Sequence, residues 1–196
     1  MKHHQFLALL AGLAIASTPG LAAAQNINIA RSVQADLPYT LIYPDPMQAS
    51  GGGEDPIIIN HPNAPLQCEM SVVAVEDQDW SAEIALATLD DGEVTAAWAA
   101  TLPGFTLTDT GTTAYQDATA LRYEGTSTDS PMNLPLTLVH TETVSAGRGY
   151  VLDCLFATAE AEQARPIVDF IVANFATSAD AECCMGLAAE NDAPAR

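Results

Sequence analysis

The chain has 196 residues, with 6 basic and 25 acidic side chains and a formal net charge of −19. Such a surface repels phosphate backbones and anionic lipid heads, which argues against nucleic-acid binding and electrostatic membrane docking. The plain reading of the acidity is solubility, and a basic partner is the sharper one.

Residues 1–24 have the form of a secretory signal peptide. Lys2 gives a positive start, residues 6–16 are apolar, Pro19-Gly20 breaks the run, and Ala22-Ala23-Ala24 supplies a small-residue cleavage site. The run is too short for a bilayer, which takes about 20 apolar residues. No cysteine near the site offers a lipid attachment point. Cleavage after Ala24 leaves five basic side chains against 25 acidic ones, a net charge near −20. A periplasmic or secreted location is expected.

Residues 25–35 read as a polar lead-in and 36–178 as one α+β domain. A cysteine-containing tail, 179–196, reads as partly disordered. Within the domain, 39–43 is rich in β-formers and stops at Pro44-Asp45-Pro46, a strand and a turn. Gly51-Gly52-Gly53 marks a flexible loop. Residues 66–75 alternate, with Leu66, Cys68, Met70 and Val72 on one face. Residues 80–102 look helical in one or two pieces, with Asp79 or Ser81 as the first cap and a break at Asp91-Gly92. Four successive strands follow at 105–115, 118–127, 134–144 and 149–158. The clearest hairpin turn is Ala146-Gly147-Arg148, and short connections imply antiparallel neighbours. A closing helix spans 160–175, where Ile167, Phe170, Ile171 and Phe175 form an apolar face. Pro166 marks a kink or the true first turn. The order predicts an antiparallel sheet flanked by helices.

The mature chain carries Cys68, Cys154, Cys183 and Cys184. An even count in an exported protein points to structural disulfides, with three pairings open. Cys68 and Cys154 fall on the apolar faces of their strands. The favoured arrangement ties Cys183 and Cys184 to Cys68 and Cys154 and clamps the tail to the domain. A direct Cys68–Cys154 bond between neighbouring strands is the competitor.

No residue set commits the chain to catalysis. His61 and His140 are the histidines left after cleavage, and neither has a second ligand at zinc-site spacing. Glu76-Asp77-Gln78-Asp79 and Asp90-Asp91-Gly92-Glu93 lack the alternating oxygens and distant glutamate of a calcium loop and read as helix caps. The glycine run lacks the lysine and hydroxyl of a phosphate-binding loop. Trp80 and Trp98 read as core residues on a helical stripe with Ile84, Val94 and Leu102.

Three short stretches carry a family resemblance. Tyr39-Thr40-Leu41-Ile42-Tyr43-Pro44 is similar to a first strand running into a proline turn, Arg148-Gly149-Tyr150-Val151-Leu152 to a last hairpin, and Ile171-Val172-Ala173-Asn174-Phe175 to the end of a closing helix. Together with the element order they resemble the PsbP-like superfamily, which includes the DcrB and LpqN proteins. The resemblance implies an α/β/α sandwich and a non-catalytic accessory or binding role, and it offers no catalytic residues to carry over.

The expectation is therefore an exported, soluble accessory protein without catalytic activity, cofactor or bound metal. It would contact an envelope or periplasmic protein through loops such as 48–55 and 127–133. Two alternatives come from other classes. One is a periplasmic hydrolase or other carboxylate-based enzyme. The other is a thiol redox or metal carrier using Cys183 and Cys184.

Overall fold

A computed structural model describes residues 26–182 apart from 33, 35, 54, 76–78 and 131. The expected signal peptide, Glu76-Asp77-Gln78, Cys183 and Cys184 lie outside the described residues. The elements in chain order are β1 (Ile27–Arg31), β2 (Thr40–Pro44), β3 (Gln48–Gly51), β4 (Ile57–Asn60), β5 (Leu66–Ala74), α1 (Ala82–Thr88), α2 (Asp91–Ala99), β6 (Phe105–Ala114), β7 (Thr119–Ser127), β8 (Leu136–Ser145), β9 (Arg148–Ala157) and α3 (Ala161–Ala173). A 3-10 turn, Thr158–Glu160, leads into α3.

The fold is α+β. Seven strands form an antiparallel sheet in the order β3-β4-β5-β9-β8-β7-β6, and β1 pairs with β2 in a separate ribbon. The predicted four-strand meander is β6 to β9. Its last hairpin turns through Ala146 and Gly147, both at positive φ (50° and 75°). Two left-handed residues match the twist of a tight hairpin.

One face of the sheet carries the main core. Leu66, Cys68 and Met70 of β5 and Tyr150, Leu152, Cys154 and Phe156 of β9 are all buried there. Above them lies α3, whose Ala164, Val168, Ile171 and Val172 face inward, with Phe175 closing the end. Full burial of such an aliphatic or aromatic side chain is worth about 1.5–3 kcal/mol. The β1–β2 ribbon adds Leu41 and Tyr43 to the same core. Pro166 sits inside α3 rather than at its first turn.

The opposite face carries a smaller cluster: Phe105, Leu121, Tyr123, Leu136 and Leu138 beneath Leu86, Leu89, Val94 and Trp98 of the α1–α2 hairpin and its linker. Both helices are capped as short polar helices should be. Ser81 accepts from the Ile84 amide at 3.2 Å, and Asp90 from the Glu93 amide at 2.9 Å. The break falls at Leu89-Asp90, two residues before the expected position. Gly125 is required because a Cβ there would overlap the Phe105 ring.

Three strands go beyond what the sequence pattern predicts. β1 falls in the supposed lead-in and is held by register with β2, from Ile27↔Pro44 to Arg31↔Thr40. β3 and β4 replace the predicted loop at 48–55 with a tight hairpin. The three glycines have φ of 82°, 93° and 79°, and a Cβ on Gly51 would collide with the Pro56 carbonyl. The run is thus a sterically demanded turn between an edge strand and its neighbour.

The cysteine expectation is corrected. Cys68 and Cys154 are opposite each other in the β5–β9 register and are joined by a disulfide. Both partners of the expected tail clamp are therefore used. The tail is met at one described point, where the Arg31 guanidinium donates to the Ala181 carbonyl at 2.9 Å.

Candidate functional site

One register row crosses the whole sheet: Thr110, Tyr123, His140, Asp153, Glu69, Ile58 and Ser50 stand successively opposite one another. Its centre is a charged cluster on the face beneath α2. Trp98 Nε1 donates to the Tyr123 hydroxyl at 2.8 Å. The Tyr123 ring stacks on His140, with centroids 4.2 Å apart and planes 13° from parallel. His140 Nδ1 donates to Asp153 Oδ1 at 2.6 Å, and its Nε2 lies 3.5 Å from Glu142 Oε2.

Burial alone would push the His140 pKa down, because it disfavours charge. The hydrogen bonds and charges of Asp153 and Glu142 outweigh it and raise the value to about 9. At neutral pH His140 is therefore an imidazolium that donates from both nitrogens. A ring in that state has no lone pair for a general base or a metal ligand. The two carboxylates flank opposite ring edges and do not converge on one point. No group of three His, Cys, Asp or Glu side chains among the described residues is arranged to hold a metal ion. Burial raises the Tyr123 hydroxyl to about 12, against the smaller opposing effect of the Trp98 hydrogen bond. It stays neutral.

The cluster does shape a cleft. Between the α1–α2 hairpin and the sheet lies a hollow of about 440 Å³, walled by Trp80, Ile84, Leu89, Val94 and Leu121, with Asp79, Asp90, Glu93 and Glu142 around it. A second hollow of about 140 Å³ is lined by Val73, Val75, Val144 and Val151 and shares Trp80 and Glu142 with the first. Trp80 thus stands between the two, and Glu142 is held in place from behind by His140. The helices cover only the β6–β8 part of this face. Farther along, β9 is half-buried, with Leu155 against the smaller cluster, and β5 exposes Gln67, Glu69 and Val73, with no described helix over them.

A second charged network lies on the α3 face and ties that helix to the sheet. Glu124 accepts from Arg122 at 2.7 Å and from Arg165 at 2.8 Å, and Arg122 also reaches Asp169 at 3.0 Å. Burial opposes the Glu124 charge, but the two guanidiniums prevail and lower its pKa. Arg165 also lies over the Phe156 ring, 5.8 Å from its centroid. This is an anchor for α3 rather than a binding site.

The other residues singled out by the sequence disperse. His61 is a turn residue whose Nδ1 accepts from the Asn63 amide at 3.2 Å. Asp90 is a cap, as expected. Trp80 and Trp98 are both half-buried and both pack against the smaller cluster, as expected, and Trp80 also lines the cleft. The 127–133 loop exposes Met132. The His140 cluster is not among the sequence expectations, although the sequence holds a signal for it. Counting outward from the Ala146-Gly147 turn puts His140 opposite Asp153 and Glu142 opposite Val151.

No protein-family model matches the chain, and no curated protein matches it in sequence. Solved structures match in shape. The solution structure of cyanobacterial PsbP (CyanoP) from Synechocystis sp. PCC 6803 superposes with a TM-score of 0.55 at 12% identity, over 83% of this chain and 98% of that one. LpqN of Mycobacterium tuberculosis, described as involved in cell envelope biogenesis, gives 0.45 at 15% identity over 79% and 86%. A protein from Bacteroides thetaiotaomicron gives 0.41 at 10% identity, over 74% of this chain and 46% of that one. The likeness to CyanoP shows a PsbP-like fold.

Proposed function

We propose that the chain is an exported accessory protein that binds another protein or an envelope component and performs no catalysis. The observation that carries the reading is a pair of open hollows beside the helical hairpin, joined at Trp80 and Glu142 and walled largely by aliphatic side chains. Large apolar side chains left in an open groove are the usual mark of a contact site. Export is supported by the form of residues 1–24 and by the Cys68–Cys154 bond, which suits an oxidising compartment.

The carboxylate-enzyme alternative loses its best pair, because His140 stands between Glu142 and Asp153 and pairs with both. The thiol alternative rests on Cys183 and Cys184, outside the described residues.

The test is a cross-linked pull-down of the tagged mature protein from its native envelope, read by mass spectrometry. One reproducible partner is the expected result. Recovery of the protein alone, at adequate expression, would overturn the reading and direct attention to hydrolase screens.

A further inference from the structure

We infer that the cleft receives a basic segment of a partner protein, with an apolar side chain seated against Trp80 and cationic side chains along the acidic rim. This rests on the binding reading above and names the chemistry of the partner.

Three observations converge. The first is apolar exposure. Among the described residues the exposed large hydrophobic side chains are Ile29, Val73, Ile84 and Met132, and two of these line the cleft. Ile84 is 56% exposed in the larger hollow, Val73 is 49% exposed in the smaller, and Trp80 stands between them. Separated anchor points along an open groove suit an extended chain better than a compact small molecule.

The second observation is charge. Asp79, Asp90, Glu93 and Glu142 line the larger hollow, and no basic side chain among the described residues lines either one. The chain's single lysine is Lys2. The described arginines are committed elsewhere: Arg122 and Arg165 to Glu124, Arg31 to the Ala181 carbonyl, and Arg148 to the Ala146 carbonyl. His140 offsets part of the Glu142 charge from below. Glu93 and the part of the Glu142 charge that His140 leaves favour an occupant that brings positive charge of its own, and the overall charge of −19 would draw it in from a distance.

The third is loose packing of the wall. α1 buries only Ala82, and α2 buries no residue. The hairpin rests on half-buried side chains and the Trp98–Tyr123 hydrogen bond rather than on the main core, so its adjustment around a segment would leave that core intact.

The experiment uses the full mature chain with a photo-crosslinking side chain placed singly at Ile84, at Gln48 or at Thr112, expressed in its native host. The expected result is a cross-link from Ile84 whose partner peptide holds an apolar residue flanked by Lys or Arg. It should fall at least fivefold with Glu93→Lys in the same chain, and again in 0.5 M salt. The Gln48 and Thr112 positions, on the two sheet edges, should stay unlinked. A partner captured only from Gln48 or Thr112 would overturn the cleft assignment and leave the binding reading standing. No partner from any of the three positions would defeat both. A lipid adduct, an acidic peptide, or a cross-link indifferent to Glu93→Lys and salt would overturn the proposed chemistry.

Discussion

The two faces of the sheet are built on different terms. On one, a 13-residue helix presses four buried side chains onto a floor that includes the disulfide, and a network of two arginines with Glu124 and Asp169 ties it down. On the other, two helices of seven and nine residues bury one alanine between them, and β5 exposes Gln67, Glu69 and Val73. The first face holds the fold together. The second keeps its own smaller cluster and the His140 ion pairs in the sheet, but its outer helical layer is lightly buried, and lightly buried elements are the ones that open most readily.

The largest expected effect belongs to the α3 face. Phe175 is fully buried, 4.7 Å from Tyr115 and 6.0 Å from Tyr150 between ring centroids. Phe175→Ala should cost about 3–5 kcal/mol in urea unfolding, as a transfer loss plus a cavity. A cost below about 1 kcal/mol, the level of an ordinary surface change, would break the contrast between the faces. Next comes the disulfide, which closes a separation of 86 residues. The paired change Cys68→Ala with Cys154→Ala should lower stability by about 2–4 kcal/mol. Unchanged unfolding in the double variant would remove the bond from the account of the core.

The third effect lies under the lighter face and depends on pH. His140 has its pKa raised to about 9, so the stabilisation it gives is complete below its ordinary value near 6.5 and is lost as pH rises through about 9. Its size is on the order of 3 kcal/mol, at about 1.4 kcal/mol for each unit of the rise. Unfolding free energy measured from about pH 6 to pH 10 should decline over that window, and His140→Gln should flatten the decline. Glu124 has the opposite sign: its lowered pKa contributes stability above the ordinary carboxylate range and loses it as acid is added. The alkaline flank therefore reports on one face and part of the acid flank on the other. An alkaline slope that survives His140→Gln would assign it to another group.

The sequence is legible where structure is local. The meander from β6 to β9 announces itself by alternation and by Ala146-Gly147, and α3 by its apolar spacing. β1, β3 and β4 are five, four and four residues long, too short for a period to emerge, and pairing with other strands is what makes them strands. The Cys68–Cys154 bond depends on β5 lying beside β9, a crossover that no local pattern encodes. The His140–Asp153 pair is within reach, since the hairpin register fixes it, but His140 taken alone against metal spacings does not reveal it. The cleft is beyond reach. It lies beside the α1–α2 hairpin, and the Trp80 stripe reads as core in sequence whether or not part of Trp80 also faces an open hollow, as it does here.

The smallest expected effect is the sharpest discriminator between the faces. Ile84 lies on α1 and Val168 on α3, both β-branched aliphatics on a helix, yet one is 56% exposed and the other fully buried. Ile84→Ser should change unfolding free energy by no more than about 0.5 kcal/mol, the usual range for an exposed site. Val168→Ser should cost several times that, because it also buries a hydroxyl among apolar neighbours. If the two changes cost the same, α1 is packed more tightly than its exposure implies, and Ile84 serves the fold. If Ile84→Ser leaves stability intact but removes partner capture, the side chain is kept in water for contact rather than for packing. Stability and binding are then divided between the faces of one sheet.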